Sequence, residues 1–302
     1  MAGFRININK NFMALFLFIS GIIILLLQHI TPVKAAELDC IWCHEDLIKR
    51  TYVHGVVFMG CKTCHTGIDK RHKNTSGIKR ALFSKEPEIC LGCHSSPTFS
   101  KKVVHSAINV SGCTGCHNPH SSNQKKLLKK QGDDLCFICH EDKQFKRRLV
   151  HLPVNIGCMT CHNPHSTDNR SILINKMPDL CFGCHDKSDF KGKNLHKPVA
   201  DGKCTRCHNP HSSNNMVLLR NEPNRLCIEC HQRVARKPHV LTSQNGGHPL
   251  GGLARGKKED PARPNKPYYC GSCHNPHSSD SPTLFRFKAK TSSDICANCH
   301  KI

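Results

Sequence analysis

The cysteines constrain this chain more than anything else in it. All 22 fall in C-x-x-C pairs, and a histidine follows every pair. The first five motifs are Cys40, Cys43 and His44; Cys61, Cys64 and His65; Cys90, Cys93 and His94; Cys113, Cys116 and His117; and Cys136, Cys139 and His140. The next six are Cys158, Cys161 and His162; Cys181, Cys184 and His185; Cys204, Cys207 and His208; Cys227, Cys230 and His231; Cys270, Cys273 and His274; and Cys296, Cys299 and His300. A disulfide framework scatters its cysteines instead of holding one spacing throughout. Zinc ribbons and redox dithiols also use C-x-x-C, but neither requires a histidine at the same place every time. C-x-x-C-H is the attachment signature of c-type haem: two thiols form thioethers to the porphyrin edge, and the adjacent histidine is placed to bind iron axially. The residues therefore predict eleven covalently attached haems c.

The remaining histidines carry the next inference. Of 23 in the chain, eleven are the proximal ones above and His29 lies in the N-terminal segment 1–35. The rest are His54, His72, His105, His120, His151, His165, His196, His211, His239, His248 and His277. One spare histidine per expected iron predicts bis-histidine ligation throughout, with these as distal ligands. His54, His105, His151 and His196 recur 14 or 15 residues after the first cysteine of a motif, whereas His120, His165, His211 and His277 each stand in N-P-H. His72, His239 and His248 follow neither pattern. Proline fixes φ and lacks an N–H, so Pro119 is expected to end the turn begun at Cys113 and send His120 outward. Three residues through a proline do not wrap round a porphyrin. Each N-P-H histidine is thus expected to bind a neighbouring haem; for His165 the expected one is the haem on Cys136 and Cys139.

The motifs are also periodic. From Cys90 to Cys227 they start 23, 23, 22, 23, 23 and 23 residues apart and alternate in kind, so the repeat is two motifs long. Five such repeats run from about residue 37 to 290, and a half repeat with Cys296 and Cys299 follows. An apolar pair precedes each new repeat: Leu127-Leu128, Ile172-Leu173, Leu218-Leu219, with Ala81-Leu82-Phe83 and Leu284-Phe285 in similar places. Aromatic residues are only 6% of the chain, with a single tryptophan, Trp42, too few for a conventional core of this size. Haems are expected to replace it. The predicted fold is mostly irregular with short α-helices, a repeat-built, elongated multihaem cytochrome c fold with a haem-packed core, each C-x-x-C-H opening a short helical turn. Residues 232–269 read as one long irregular surface loop.

Arg5 and Lys10 precede an apolar run from Phe12 to Leu27, and Val33-Lys34-Ala35 suits a small-residue cleavage site. This predicts a signal peptide over 1–35 and one haem-binding domain over 36–302, with an uncleaved anchor as the alternative. The net charge of +22 invites a nucleic-acid reading. Export argues against it: without Arg5, Lys10 and Lys34 of the signal segment the charge is +19, and with two propionates per haem and one positive charge per ferric core it falls to about +8 oxidised and about −3 reduced. Lysines and arginines are then counter-charges to propionates, and no nucleic-acid partner is expected.

Alternation of C-x-x-C-H with N-P-H, and Gly247-His248-Pro249-Leu250 ahead of a motif, resemble the doubled-CXXCH family of multihaem c-type cytochromes, including decahaem subunits of porin–cytochrome conduits. The resemblance implies a chain of close-packed bis-histidine haems passing electrons along its length. The first repeat departs from it, with Thr66-Gly67-Ile68-Asp69-Lys70-Arg71-His72 in place of N-P-H. The expected role is electron transfer without catalysis, in the periplasm, at the outer membrane or outside the cell. Partners would be a quinol-side donor cytochrome and an outer-membrane porin or extracellular acceptor, and membrane contact would come only through a partner or an uncleaved N-terminus. Two alternatives stand beside it: a multihaem reductase of a nitrogen or sulfur oxyanion, which needs an open iron position, and a subunit of an extracellular haem filament.

Overall fold

The computed structural model describes residues 38–65, 82, 84–94, 97–236, 259–289 and 291–301. The expected signal peptide and His72, His239 and His248 lie outside these residues. Among the described residues no helix is long and apolar enough to cross a membrane.

Each motif is a single tight turn. The histidine N–H donates to the carbonyl of the first cysteine, as in His65 to Cys61 (3.0 Å), His94 to Cys90 (2.8 Å) and His162 to Cys158 (3.0 Å). The first and last motifs close in the same way, His44 onto Cys40 (3.0 Å) and His300 onto Cys296 (2.8 Å). One helical i→i−4 bond keeps both sulfurs and the imidazole on one side of the backbone. The two kinds of motif differ in how the turn starts. Second motifs begin at the cysteine, in 3₁₀ turns such as Cys113–Gly115, Cys158–Thr160 and Cys204–Arg206. First motifs are entered from a helix that starts earlier, such as Asp179–Phe182 and Pro223–Ile228.

The chain also forms short antiparallel strand pairs, which a two-residue length hides from any periodicity test. Tyr52–Val53 pairs with Ser121–Ser122, Val103–Val104 with Ser166–Thr167, Leu149–Val150 with Ser212–Ser213, and Asn194–Leu195 with Ser278–Ser279. Every one joins a repeat to the next. The first serine after N-P-H locks the join. Ser121, Ser166 and Ser212 are fully buried. Ser212 Oγ donates to the Gln144 carbonyl (2.7 Å) and accepts the Arg147 N–H (3.2 Å), both in the preceding repeat. The second hydroxyl closes its own loop: Thr167 Oγ1 donates to the Asn169 carbonyl (2.8 Å).

The apolar pairs have a defined place. Leu128, Leu173, Leu219 and Phe285 bridge to His117, His162, His208 and His274 of their own motifs. The residue before each has a left-handed backbone, with φ of 57° at Leu127, 49° at Ile172, 59° at Leu218 and 56° at Leu284. That conformation is costly for these side chains, and it turns the preceding carbonyl towards the motif.

Leu226 is the one large apolar side chain buried among the described residues; the other buried side chains are polar. A chain with this pattern does not hold itself together through apolar side chains, as the low aromatic content implied. The expected loop over 232–269 is not irregular throughout. Gln232–Arg236 is helical, and Glu259–Asp260 pairs with Arg263–Pro267. Buried Asp260 accepts bonds from the Ala262 N–H (3.0 Å) and Arg263 Nε (2.6 Å), which hold the hairpin closed.

The chain divides into two compact units, one built from residues up to Lys85 with His117–Leu128, the other from Glu86–Cys116 with Lys129–Ile302.

Candidate haem sites

The imidazoles are oriented by backbone carbonyls. In second motifs, proximal Nδ1 meets a carbonyl nine residues on: His117 to Lys126 (2.8 Å), His162 to Ser171 (2.9 Å), His208 to Val217 (2.9 Å) and His274 to Thr283 (2.9 Å). These are the carbonyls turned inward by the left-handed loops. The histidines of the other spacing use the N-P-H proline instead: His54 Nδ1 meets the Pro119 carbonyl (2.8 Å), His105 that of Pro164 (2.9 Å), His151 that of Pro210 (2.8 Å) and His196 that of Pro276 (2.9 Å). A carbonyl only accepts, so Nδ1 carries the proton and Nε2 keeps its lone pair for a metal. The N-P-H proline thus does more than end a turn.

The N-P-H histidines are held differently. The asparagine side chain accepts the histidine N–H, as in Asn163 to His165 (2.9 Å) and Asn209 to His211 (3.0 Å). Their rings pack on a phenylalanine nine residues after a first cysteine: His165 on Phe99 (4.8 Å), His211 on Phe145 (4.7 Å) and His277 on Phe190 (5.0 Å). Burial is the main cause that lowers the basicity of His120, His211 and His277, followed by neighbouring histidines.

The rings then meet in pairs. Ring centres are 6.0 Å apart for His65 and His120, 6.2 Å for His105 and His140, 6.0 Å for His151 and His185, 6.1 Å for His162 and His211, 6.0 Å for His196 and His231, and 5.9 Å for His208 and His277. Two metal–imidazole bonds of about 2 Å, plus about 1.1 Å from each nitrogen to its ring centre, span roughly 6 Å. The spacing fits one iron between each pair, so these residues suit the haem that the motifs imply. His140 faces His105, which corrects the partner expected for His165.

The two kinds of motif also present their sulfurs differently. The second cysteine of every first motif is exposed, from Cys43 and Cys93 to Cys299, whereas that of every second motif, Cys64 among them, is half-buried. The cysteines form a ladder. Cys136 and Cys158 have their sulfurs within 4.8 Å of each other, and Cys181 lies beside Cys204 and Cys227 beside Cys270. These are first cysteines of consecutive motifs. Second cysteines make the intervening steps: Cys116 is influenced by Cys139, Cys161 by Cys184, Cys207 by Cys230 and Cys273 by Cys299. Burial, then Asp133 and Cys136, push the Cys158 thiol up to about 12, and the neighbouring Cys181 brings Cys204 down to about 6. A haem-loaded chain carries thioethers at these atoms, so the shifts speak of proximity alone. Asp133, Cys136 and Cys158 also form a cluster of metal-ligand type, but two of its members are attachment cysteines.

The family described as "Doubled CXXCH motif" matches residues 105–145, 151–190, 196–236 and 262–301, more than half of the chain. The chain belongs to this family. The class III cytochrome c family matches residues 27–103, and a search of curated proteins finds no match. This chain is a multihaem c-type cytochrome, and its chemistry is haem binding and electron transfer.

The cytochrome's described motifs and repeat-bearing histidines all lie in these turns and joins. Sequence reasoning missed the serines after N-P-H, the asparagine before the proline, the phenylalanines and the Nδ1 carbonyls. The first three were visible as recurrences; the carbonyls, being backbone, leave no residue signature.

Proposed function

We propose that each imidazole pair binds one iron, and that the cytochrome relays electrons through eleven haems in chain order. The observation that carries this reading is the cysteine ladder, which sets each attachment point from Cys116 onwards beside that of the next motif. Haem supplies a one-electron iron(II)/iron(III) couple, so a step oxidises one centre and reduces the next with no bond made or broken. The chain's part is to hold, orient and close.

Histidines of the His105 type reach forward one repeat, to the sites of His140, His185 and His231. N-P-H histidines reach back one repeat, from His120 to His65, His211 to His162 and His277 to His208. Their backbones meet, the His151 N–H donating to the His211 carbonyl (2.9 Å). One strand pair therefore supplies a ligand to each of the two repeats it joins. Two axial imidazoles leave no iron position for substrate, which favours electron transfer over reduction of an oxyanion. Export to the periplasm or cell surface, a quinol-side donor cytochrome and a porin or extracellular acceptor complete the reading.

Intact mass with a pyridine haemochrome assay counts the haems, and optical and EPR spectra give their spin state. Eleven low-spin haems that take up little carbon monoxide are expected. Fewer than ten haems, bound zinc, or a high-spin haem turning over nitrite would overturn the proposal.

A further inference from the structure

One position recurs between the first cysteines of successive motifs and is occupied differently in each repeat. It lies three or four residues before the first cysteine of a repeat, and Glu86, Asp133 and Asn224 there each bond into the turn of their repeat's second motif. In the third repeat Asp133 Oδ1 accepts the Cys158 N–H (3.0 Å). Its carboxylate lies within 4.8 Å of the sulfurs of both Cys136 and Cys158. In the fifth repeat Asn224 Oδ1 makes the same bond to the Cys270 N–H (3.0 Å) and lies 3.1 Å from the Cys270 sulfur. Asparagine is the neutral isostere of aspartate, so the same hydrogen bond is made once with a charge and once without.

The other two repeats show the same contrast. In the second, Glu86 accepts the Thr114 N–H (3.0 Å) and hydroxyl (2.8 Å), inside the Cys113–Cys116 turn. In the fourth, the matching residue is Met177, whose sulfur lies 3.7 Å from Cys181 Sγ. The carboxylates are in the two earlier repeats and the neutral side chains in the two later ones.

Resting on the electron-relay reading above, we infer that this position tunes the potentials of its repeat's two haems at once. A carboxylate beside the thioether edges favours iron(III), with one more positive charge, over iron(II). Asp133 holds the haems on Cys136 and Cys158 at lower potential than asparagine would in its place, and each step remains a one-electron exchange between neighbouring irons. Other charges also stand near these sulfurs. Asp260, near Cys273, is paired with Arg263, and Arg220, near Cys207, is paired with Glu229. Lys129 stands beside Cys116. Glu222 keeps a carboxylate charge near Cys227 and Cys270 while it accepts the Arg225 N–H (3.1 Å), so the contrast belongs to the Asp133/Asn224 position and not to the repeats as wholes.

The test exchanges the two isosteres in the full haem-loaded chain, as Asp133→Asn and Asn224→Asp, and follows haem reduction by spectroelectrochemical titration. Asp133→Asn should move the share of the titration belonging to two haems to more positive potential, and Asn224→Asp should move a similar share to more negative potential. Glu86→Gln should act like Asp133→Asn, so the inference stands or falls even if a buried carboxylate in place of Asn224 prevents folding. No movement in Asp133→Asn and Glu86→Gln, or movement to more negative potential, overturns it. Haem content and spin state are read in the same samples; missing haems or high-spin iron in the unaltered chain would sink the relay reading instead.

Discussion

At the scale of single residues, backbone carbonyls aim the imidazoles. An Nδ1–H held by a carbonyl fixes both ring plane and tautomer, a second tier of contacts that commonly tunes metal ligands. His211 is the clearest case of an imidazole turned to another repeat, since its ring faces His162 and not His208, the histidine of its own motif. Replacing His211 with alanine should leave the haem count unchanged and turn one iron high-spin, visible by EPR and by new carbon monoxide uptake. Ser212 acts through the backbone. Ser212→Ala strands the Gln144 carbonyl and the Arg147 N–H in a buried join, and should cost about 1–3 kcal/mol in denaturant unfolding with haem content intact. The histidines were legible in the sequence because each is a distinctive residue at a fixed spacing. The carbonyls that aim them were not, because a left-handed Leu127 or Ile172 looks like any apolar residue until the backbone is seen.

At the scale of elements, two-residue strands and single turns do the work that long helices and sheets do elsewhere. They are stable only as joins, since an isolated pair of this length buries almost nothing. This explains why the turns opened by C-x-x-C-H could be anticipated and the strand pairs could not: the turn is encoded within five residues, whereas Val103–Val104 finds Ser166–Thr167 only across a whole repeat. The hairpin of Glu259–Asp260 and Arg263–Pro267 belongs to the same class, hidden in a stretch rich in glycine, proline and charge. Burial alone would raise the Asp260 carboxyl, but bonds from Ser272, Arg263 and the Ala262 N–H hold it below its ordinary 3.8. A depressed carboxyl stabilises the folded chain above its unfolded value and loses that contribution as pH falls through the folded one. Acid should therefore loosen this hairpin only below about pH 3.8, followed by hydrogen exchange of the Ala262 amide. Asp260→Asn should flatten that dependence.

At the scale of the whole molecule, the proposed ligation would bind the repeats to each other through shared irons. The imidazole pairs cross in both directions, forward from His105, His151 and His196 and backward from His120, His211 and His277. From the sequence, each N-P-H histidine is expected to bind a neighbouring haem, that of His165 in its own repeat, but a 46-residue period is equally compatible with the same repeat or either neighbour, and the rings of His120, His211 and His277 pair one repeat back. Cross-repeat ligation is the central claim, and it is tested most directly by an iron-edge diffraction or high-resolution cryo-electron microscopy structure of the haem-loaded chain, read at His211. The account predicts one iron lying between His211 Nε2 and His162 Nε2, with its haem on Cys158 and Cys161. An iron held between His211 and His208, or a His211 that touches no iron, would contradict it.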